Sequence, residues 1–214
     1  MNAINTRILR LIILPFLFVT AVDAANAASL VQGLIYLKNG SVVECDGKDR
    51  FELPKGFESI QLYRNAFYKD RTKEIFARQD IDSIVCWHSA APEYRRKFIP
   101  SDRYGWLWIY FETPYISVCV YSVKGYRLES NGGIVLLHRQ GLLSQSRTAY
   151  YIRKTGEREF QVIGAATRNA RDPFRERIAD YISDDPQLAD TIRRSDLNRN
   201  KTILLLKDYV PSAD

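Results

Sequence analysis

The sequence predicts an α+β protein that is mainly β: an antiparallel small barrel or curled sheet, joined to a β-meander and covered by a C-terminal three-helix cap. Three observations predict it. Short runs of branched and aromatic residues recur from Gly33 to Gly164, separated by Gly, Pro and Asn. Paired runs flank turn signals such as Asn39-Gly40. From Arg171 onward the apolar spacing switches to three and four residues, the period of a helix.

Ahead of these elements, residues 1–27 read as a secretory signal peptide. Arg7 and Arg10 form a positive start, Leu11 to Val22 an apolar stretch, and Ala25-Asn26-Ala27 a small-x-small cleavage pattern, with Val22-Asp23-Ala24 as a second site. The apolar stretch, which holds Pro15 and ends at Asp23, falls short of the about 20 residues that span a bilayer. No cysteine lies at either junction, so lipid anchoring is not expected. The expected product is exported, periplasmic or extracellular, with no transmembrane segment and no lipoprotein linkage. Without Arg7, Arg10 and Asp23 the mature chain holds 29 basic and 24 acidic residues, a net charge of +5. Export turns this charge away from nucleic acid and toward an acidic envelope surface or glycan.

Residues 28–89 form a small β region. Its first hairpin joins GLIYLK to SVVEC through Asn39-Gly40, a pair that tolerates the positive φ of a type I′ turn. Pairing Lys38 with Ser41 puts Ile35, Leu37 and Val42 on one face, and Leu34, Tyr36, Val43 and Cys45 on the other. The runs SIQLYR, EIFARQ and DIDSIVCWH follow a loop containing Pro54 and Gly56. Residues 90–103, with Pro92, Pro100 and the triplet Arg95-Arg96-Lys97, read as a linker.

Residues 104–170 form the meander. WLWIYF and YISVCVY flank Thr113-Pro114, a second pair flanks Asn131-Gly132, and YYIRK and REFQVI flank Thr155-Gly156. Residues 171–214 form the helical cap. Asp172-Pro173 and Asp185-Pro186 are N-cap and first-turn pairs, and Asn198 or Asn200 caps a third helix that aligns Ile203, Leu206 and Val210 before Pro211. Helices this short bury their apolar stripes only by docking on each other and on the sheet.

The run Leu37-Lys38-Asn39-Gly40-Ser41-Val42-Val43, the later Ile60-Gln61-Leu62, and Gln79-Asp80-Ile81-Asp82-Ser83-Ile84 resemble the strand, turn and closing-strand pattern of SH3-like and Sm-like small barrels across 33–88. The tail, with Phe174, Tyr181, Asp185-Pro186, Leu188, Ile192, Lys201 and Leu205-Leu206-Lys207-Asp208-Tyr209, resembles uncharacterised exported bacterial proteins that pair an LKNG-type β region with a short helical C-terminus. The resemblance implies architecture and export and carries no activity. Cys45 stands where such hairpins more often have Gly.

Chemistry-bearing patterns are few. Cys45, Cys86 and Cys119 form an odd set that allows at most one internal disulfide, and each sits in a strand-like run where a thiol acts as a small apolar group. His88 and His138 lie in different regions, outside any metal-ligand spacing. Asp196 to Asn200 mimics the start of a calcium loop, but Lys201 and Lys207 occupy the turn-Gly and bidentate-Glu positions, and helix capping explains the asparagines. Asp80 and Asp82 share a face at strand spacing, most simply as a solvated edge. The late arginines Arg168, Arg171, Arg175, Arg177, Arg193, Arg194 and Arg199 fall between apolar helical positions and read as a solvated face.

The Tyr104–Tyr121 hairpin supplies the candidate site. Pairing Phe111 with Ile116 puts Leu107, Ile109, Val118 and Val120 on an apolar face and gathers Trp106, Trp108, Tyr110, Tyr115 and Tyr121 on the other. Such an aromatic slab stacks on sugar rings or anchors a protein partner, unless the C-terminal helices cover it. The expected function is non-catalytic binding or a structural role in the bacterial envelope, with an envelope protein or glycan as partner and no catalytic residue, metal or cofactor. The alternative is an envelope hydrolase acting on glycan or peptide. That reading requires a cleft joining Asp80, Asp82 or Glu112 to a second carboxylate or a histidine.

Overall fold

Alternation in β1 (Leu30–Leu37) turns Val31, Gly33 and Ile35 into a core and leaves Gln32, Leu34 and Tyr36 half-buried on the other face. The computed structural model in which this is seen describes residues 30–122, 124–137, 149–165 and 171–212, with the backbone alone at Ala165, Arg171 and Asp172. The expected leader, residues 1–27, and His138 lie outside the described residues. Antiparallel pairing joins β1 to β2 (Val42–Cys45), to β3 (Arg50–Glu52) at its N-terminal end, and to β6 (Ile81–His88). Gly33 permits the close β1–β6 approach, since a Cβ there would lie 2.3 Å from Val85 O. From β3 the sheet continues through β4 (Ile60–Arg64) to an edge at β5 (Thr72–Phe76). From β6 it continues through β7 (Ala91–Ser101), β8 (Gly105–Glu112), β9 (Ile116–Tyr121) and β12 (Ala149–Lys154) to β13 (Gln161–Ala165). The strands β10 (Tyr126–Leu128) and β11 (Ile134–Leu136) form a separate ribbon. The protein is therefore mainly β, with one open, curled antiparallel sheet and three helices at its C-terminal end among the described residues.

Two hairpins differ from expectation by their register. In the first, Ile35 pairs with Val43 and Tyr36 with Val42, one residue away from the Lys38–Ser41 pairing. Gly40 N–H donates to Leu37 O at 3.0 Å, Leu37 N–H to Ser41 O at 2.9 Å, and only Gly40, at φ 86°, is left-handed. This is a three-residue loop with a glycine bulge rather than a type I′ turn, and Asn39 serves it by accepting from Ser41 N–H through its side chain. The slip moves Val43 and Cys45 to the core face beside Ile35 and turns Val42 into solvent.

In the second, Phe111 pairs with Val118 instead of Ile116, and a bulge at Tyr110 separates it from the Ile109–Cys119 pair. The turn is set by Thr113, whose N–H donates to Ile116 O while its hydroxyl oxygen accepts from Tyr115 N–H and Ile116 N–H. Phe111 keeps its expected face with Ile116 and Val118, but against the part of β8 before the bulge β9 is flipped relative to expectation. Trp108 shares a face with Val118 and Val120, while Tyr121 and Cys119 join Leu107 and Ile109 on the other.

Residues 90–103, expected as a linker, hold the eleven-residue strand β7, which pairs with β6 and β8. Phe98 fills the core, and the triplet is accommodated on the two faces. Arg95 lies over the Trp87 ring at 4.6 Å, Arg96 donates to Gly132 O at 2.6 Å, and Lys97 reaches Glu112 at 3.0 Å. Pro100 is tolerated because its partner Trp106 donates its own N–H to Gly56 O, so this pair exchanges no backbone bonds.

The helices are α1 (Arg171–Tyr181), α2 (Pro186–Arg194) and α3 (Arg199–Leu205). Asp185 caps α2 by accepting from Leu188 N–H at 3.1 Å, and Asn198 caps α3 by accepting from Lys201 N–H at 3.1 Å. Helix α1 begins at Arg171, and the Asp172 side chain lies outside the described residues. After α3 a 3-10 turn, Leu206–Asp208, rotates the chain so that Tyr209 is buried and Val210 is exposed.

One sheet face carries two cores. The N-terminal core gathers Val31, Ile35, Phe51, Leu62, Ile84, Phe98 and Trp106 with Tyr126 and Leu128 of the ribbon. In the second, Phe174, Ile178, Ile182, Ile192, Ile203 and Tyr209 of the C-terminal segment cover Ile116, Val118, Val120, Ile152 and Ile163. Trp108 and Leu136 touch both cores and join them. A smaller cluster of Leu107, Ile109, Cys119, Tyr151 and Phe160 lies on the opposite face.

Candidate functional site

The face opposite the two large cores turns polar toward β6 and β7. Strand alternation puts Ser83, Lys97, Ile99, Glu112 and Arg153 on it. They line a cleft of about 300 Å³, a volume at the lower end for small-ligand sites. Lys38 from the β1–β2 turn, Arg78 from the 3-10 turn Arg78–Asp80, Asp82, and Asp102 beyond β7 complete its rim.

Four cations and three carboxylates therefore meet in one concavity. Lys97 and Glu112 satisfy each other at 3.0 Å, and Ser117 donates to the same carboxylate at 3.4 Å. Arg78 donates to Ser101 O at 2.9 Å, reaches Asp102 at 3.4 Å and lies over the Phe57 ring. Arg153 rests on Phe160, 4.4 Å from the ring centroid, and lines the cleft without a carboxylate partner among the described residues. Among the described residues Asp82 accepts from the Ser83 hydroxyl alone, at 3.1 Å. Lys38 and Arg153 can take an anionic group, while Asp82, Ser83 and Gln79 can bond hydroxyls. An adjoining cavity of about 550 Å³ shares Lys38 and Gln79 and adds an apolar shelf of Leu37, Ile75 and Phe76.

The five expected aromatic site residues do not form one surface. Trp106 is fully buried in the N-terminal core, its Nε1 donating to Glu58 O at 2.8 Å. Trp108 and Tyr110 remain neighbours, 5.6 Å between ring centroids, but both pack against the helix-covered core. Tyr115 is exposed in the β8–β9 turn. Tyr121 lies across the sheet against Tyr151, at 6.0 Å. The β9 flip parts Tyr121 from the expected slab, while the two cores take in Trp106, Trp108 and Tyr110 and the turn leaves Tyr115 in water.

Other candidate residues settle into local roles. Asp80 lies in the 3-10 turn and lines the adjoining cavity, so it and Asp82 serve neighbouring spaces. His88 accepts from Ala90 N–H through Nδ1 in the β6–β7 turn, away from the cleft. Arg193 pairs with Glu176 and Asp180, Arg194 pairs with Asp190, and Arg177 donates to Ile163 O. Arg168 and the Arg171 side chain lie outside the described residues. The three cysteines are free and buried. Burial pushes Cys86 and Cys119 well above the usual thiol range, and burial together with nearby Asp49 lifts Cys45 to about 12.

The cleft residues that sequence reasoning missed, Lys38, Arg78, Lys97, Asp102 and Arg153, come from separate segments. A faint signal exists at Arg153 alone, a charged side chain on the β12 face it shares with Ala149 and Tyr151. No protein-family model, curated protein or solved structure matches the chain.

Proposed function

We propose that the protein is an exported, non-catalytic binding component of the bacterial envelope, and that its polar cleft takes an acidic glycan. One observation carries the reading. The cleft combines two cations lacking carboxylate partners among the described residues, Lys38 and Arg153, with hydroxyl-bonding groups at Asp82, Ser83 and Gln79. A uronic-acid sugar presents both chemistries at once, a carboxylate and a ring of hydroxyls. The N-terminal sequence supports export, and the net positive charge favours an acidic partner at longer range.

A second reading, a glycan or peptide hydrolase, is favoured by the meeting of Asp82, Asp102 and Glu112 in one concavity. Against it, a carboxylic acid that donates a proton near neutral pH has to be withdrawn from water, and all three of these groups are solvent-exposed. Glu112 is also tied to Lys97. Calorimetric titration with trigalacturonate, with neutral cellotriose as control, tests the binding reading. Binding of the acidic sugar alone, weakened about tenfold or more in Lys38→Ala/Arg153→Ala, is expected. No difference between the two sugars refutes the acidic-glycan assignment. Release of reducing ends that stops in Asp82→Asn supports the hydrolase instead.

A further inference from the structure

The β4–β5 hairpin ends in a turn, residues 65–71, that holds two adjacent aromatic side chains in water: Phe67 is 60% and Tyr68 53% exposed. The turn is well braced. Asn65 adopts φ 51°, its N–H bonds Asp49 Oδ1 at 3.0 Å and its side chain bonds Asp70 at 3.0 Å. Ala66 is buried and donates to Lys48 O, and Tyr68 N–H and Arg71 N–H close successive turns on Asn65 O and Tyr68 O. A braced turn that spends its buried position on Ala66 keeps the larger apolar rings outside.

Cations surround the rings. Lys48 lies 4.5 Å from the Tyr68 centroid, Arg50 lies 5.5 Å from that of Phe67, and Arg71 lies 4.8 Å from that of Tyr63. Lys69 and Lys73 are exposed in the same hairpin. Of the nearby carboxylates, Asp49 and Glu74 are both engaged by Arg64, at 2.7 and 2.8 Å, and Asp70, exposed in the turn itself, accepts from the Asn65 amide. The surface left to a partner is aromatic at its centre, and around it Lys48, Lys69, Arg71 and Lys73 outnumber the one exposed turn carboxylate, Asp70.

We propose that this turn docks the protein on an anionic lipid bilayer, with Phe67 and Tyr68 at headgroup depth and Lys48, Lys69 and Arg71 over the phosphates. Aromatic rings favour the membrane interface, and basic side chains beside them add attraction to anionic lipid. The excess of cations without a carboxylate partner among the described residues selects an anionic bilayer over a neutral partner. The proposal is independent of the cleft and of its ligand.

The test is co-sedimentation of the full chain with vesicles of phosphatidylglycerol and phosphatidylcholine, against vesicles of phosphatidylcholine alone. The readout is the difference between wild type and variants, because any retained N-terminal leader contributes equally to all of them. Each cation near an anionic surface raises partitioning about fivefold, so Lys48→Glu/Lys69→Glu lowers it at least about twentyfold. Phe67→Ala/Tyr68→Ala lowers it about tenfold or more. Both pairs are exposed, so the fold is kept. In Phe67→Trp, brominated lipid quenches the added indole fluorescence on anionic vesicles. Equal sedimentation of wild type and both variants overturns the proposal, as does an unquenched Phe67→Trp.

Discussion

Replacing Tyr126 with Phe removes a single oxygen from the N-terminal core. The residue is 2% exposed, and its ring meets Phe98 edge-on at 5.0 Å, a contact that Phe preserves. The hydroxyl accepts from Ser122 N–H at 3.2 Å and donates to Val120 O at 2.8 Å, with Trp106 O at 3.1 Å. It therefore ties the entry of the β10–β11 ribbon to β8 and β9. Because apolar burial is unchanged, the loss is that of the hydrogen bonds and of a buried Ser122 N–H left without its acceptor. Such a group costs about 1–3 kcal/mol. With about 2 kcal/mol lost, the melting temperature falls by about 4–8 °C in a chain of this length. Urea unfolding followed by tryptophan fluorescence measures the change, and the slope with urea is expected to stay constant. Tyr94→Phe, at an exposed ring, serves as control and changes stability by less than about 0.5 kcal/mol. A loss below about 0.5 kcal/mol in Tyr126→Phe would refute the reasoning.

Asp185→Ala removes the acceptor of Leu188 N–H and, through its second oxygen, that of Val210 N–H at 3.2 Å; about 2 kcal/mol is expected from chemical denaturation, with Asp185→Asn losing less. Asp184 is drawn upward by burial, but hydrogen bonds from Lys154 and Tyr209 outweigh this and hold its pKa below the usual 3.8. A depressed carboxylate stabilises above its unfolded pKa and loses that contribution as pH falls through the folded one. The stability gap between wild type and Asp184→Asn is thus full at neutral pH and closes below 3.8, and a gap that stays constant down to pH about 2 contradicts the assignment. Buried thiols of raised pKa are poor nucleophiles, so Cys45, Cys86 and Cys119 should resist a chromogenic thiol reagent until urea unfolds the protein; rapid labelling of the native protein would show otherwise. Gly33→Ala drives a methyl into Val85 O and the Cys86 backbone and is expected to lower stability by more than about 3 kcal/mol in the same unfolding assay.

The fold class was legible because it rests on local signals. Alternation marked the strands, Asn39-Gly40, Asn131-Gly132 and Thr155-Gly156 each marked a hairpin, and Asp185-Pro186 marked a cap that the structure uses. The candidate site was not legible, because it depends on register. An Asn-Gly pair serves both a two-residue turn and a three-residue loop with a glycine bulge, and the choice moves Val42, Val43 and Cys45 between faces. Likewise the bulge at Tyr110 puts one extra residue into β8 and exchanges the faces of β9 against Leu107 to Ile109, which parts Tyr121 from Trp108. Proline and charge in 90–103 misled for a related reason. Pro100 falls at a pair that exchanges no backbone bonds, and Arg95, Arg96 and Lys97 each find a partner that only neighbouring segments supply.

The sequence by itself determined that the chain is mainly β, antiparallel and hairpin-built, and that a helical segment follows, since periodicity, turn residues and caps act over a few positions. Only the tertiary structure decided which side chains share a surface. Side chains alternate every residue, so a slip of one exchanges the two faces of a strand, and the hydrogen bonds that set that slip are made between strands. Lys38, Arg78, Lys97 and Arg153 meet in the cleft because a curled sheet brings four distant segments to one concavity.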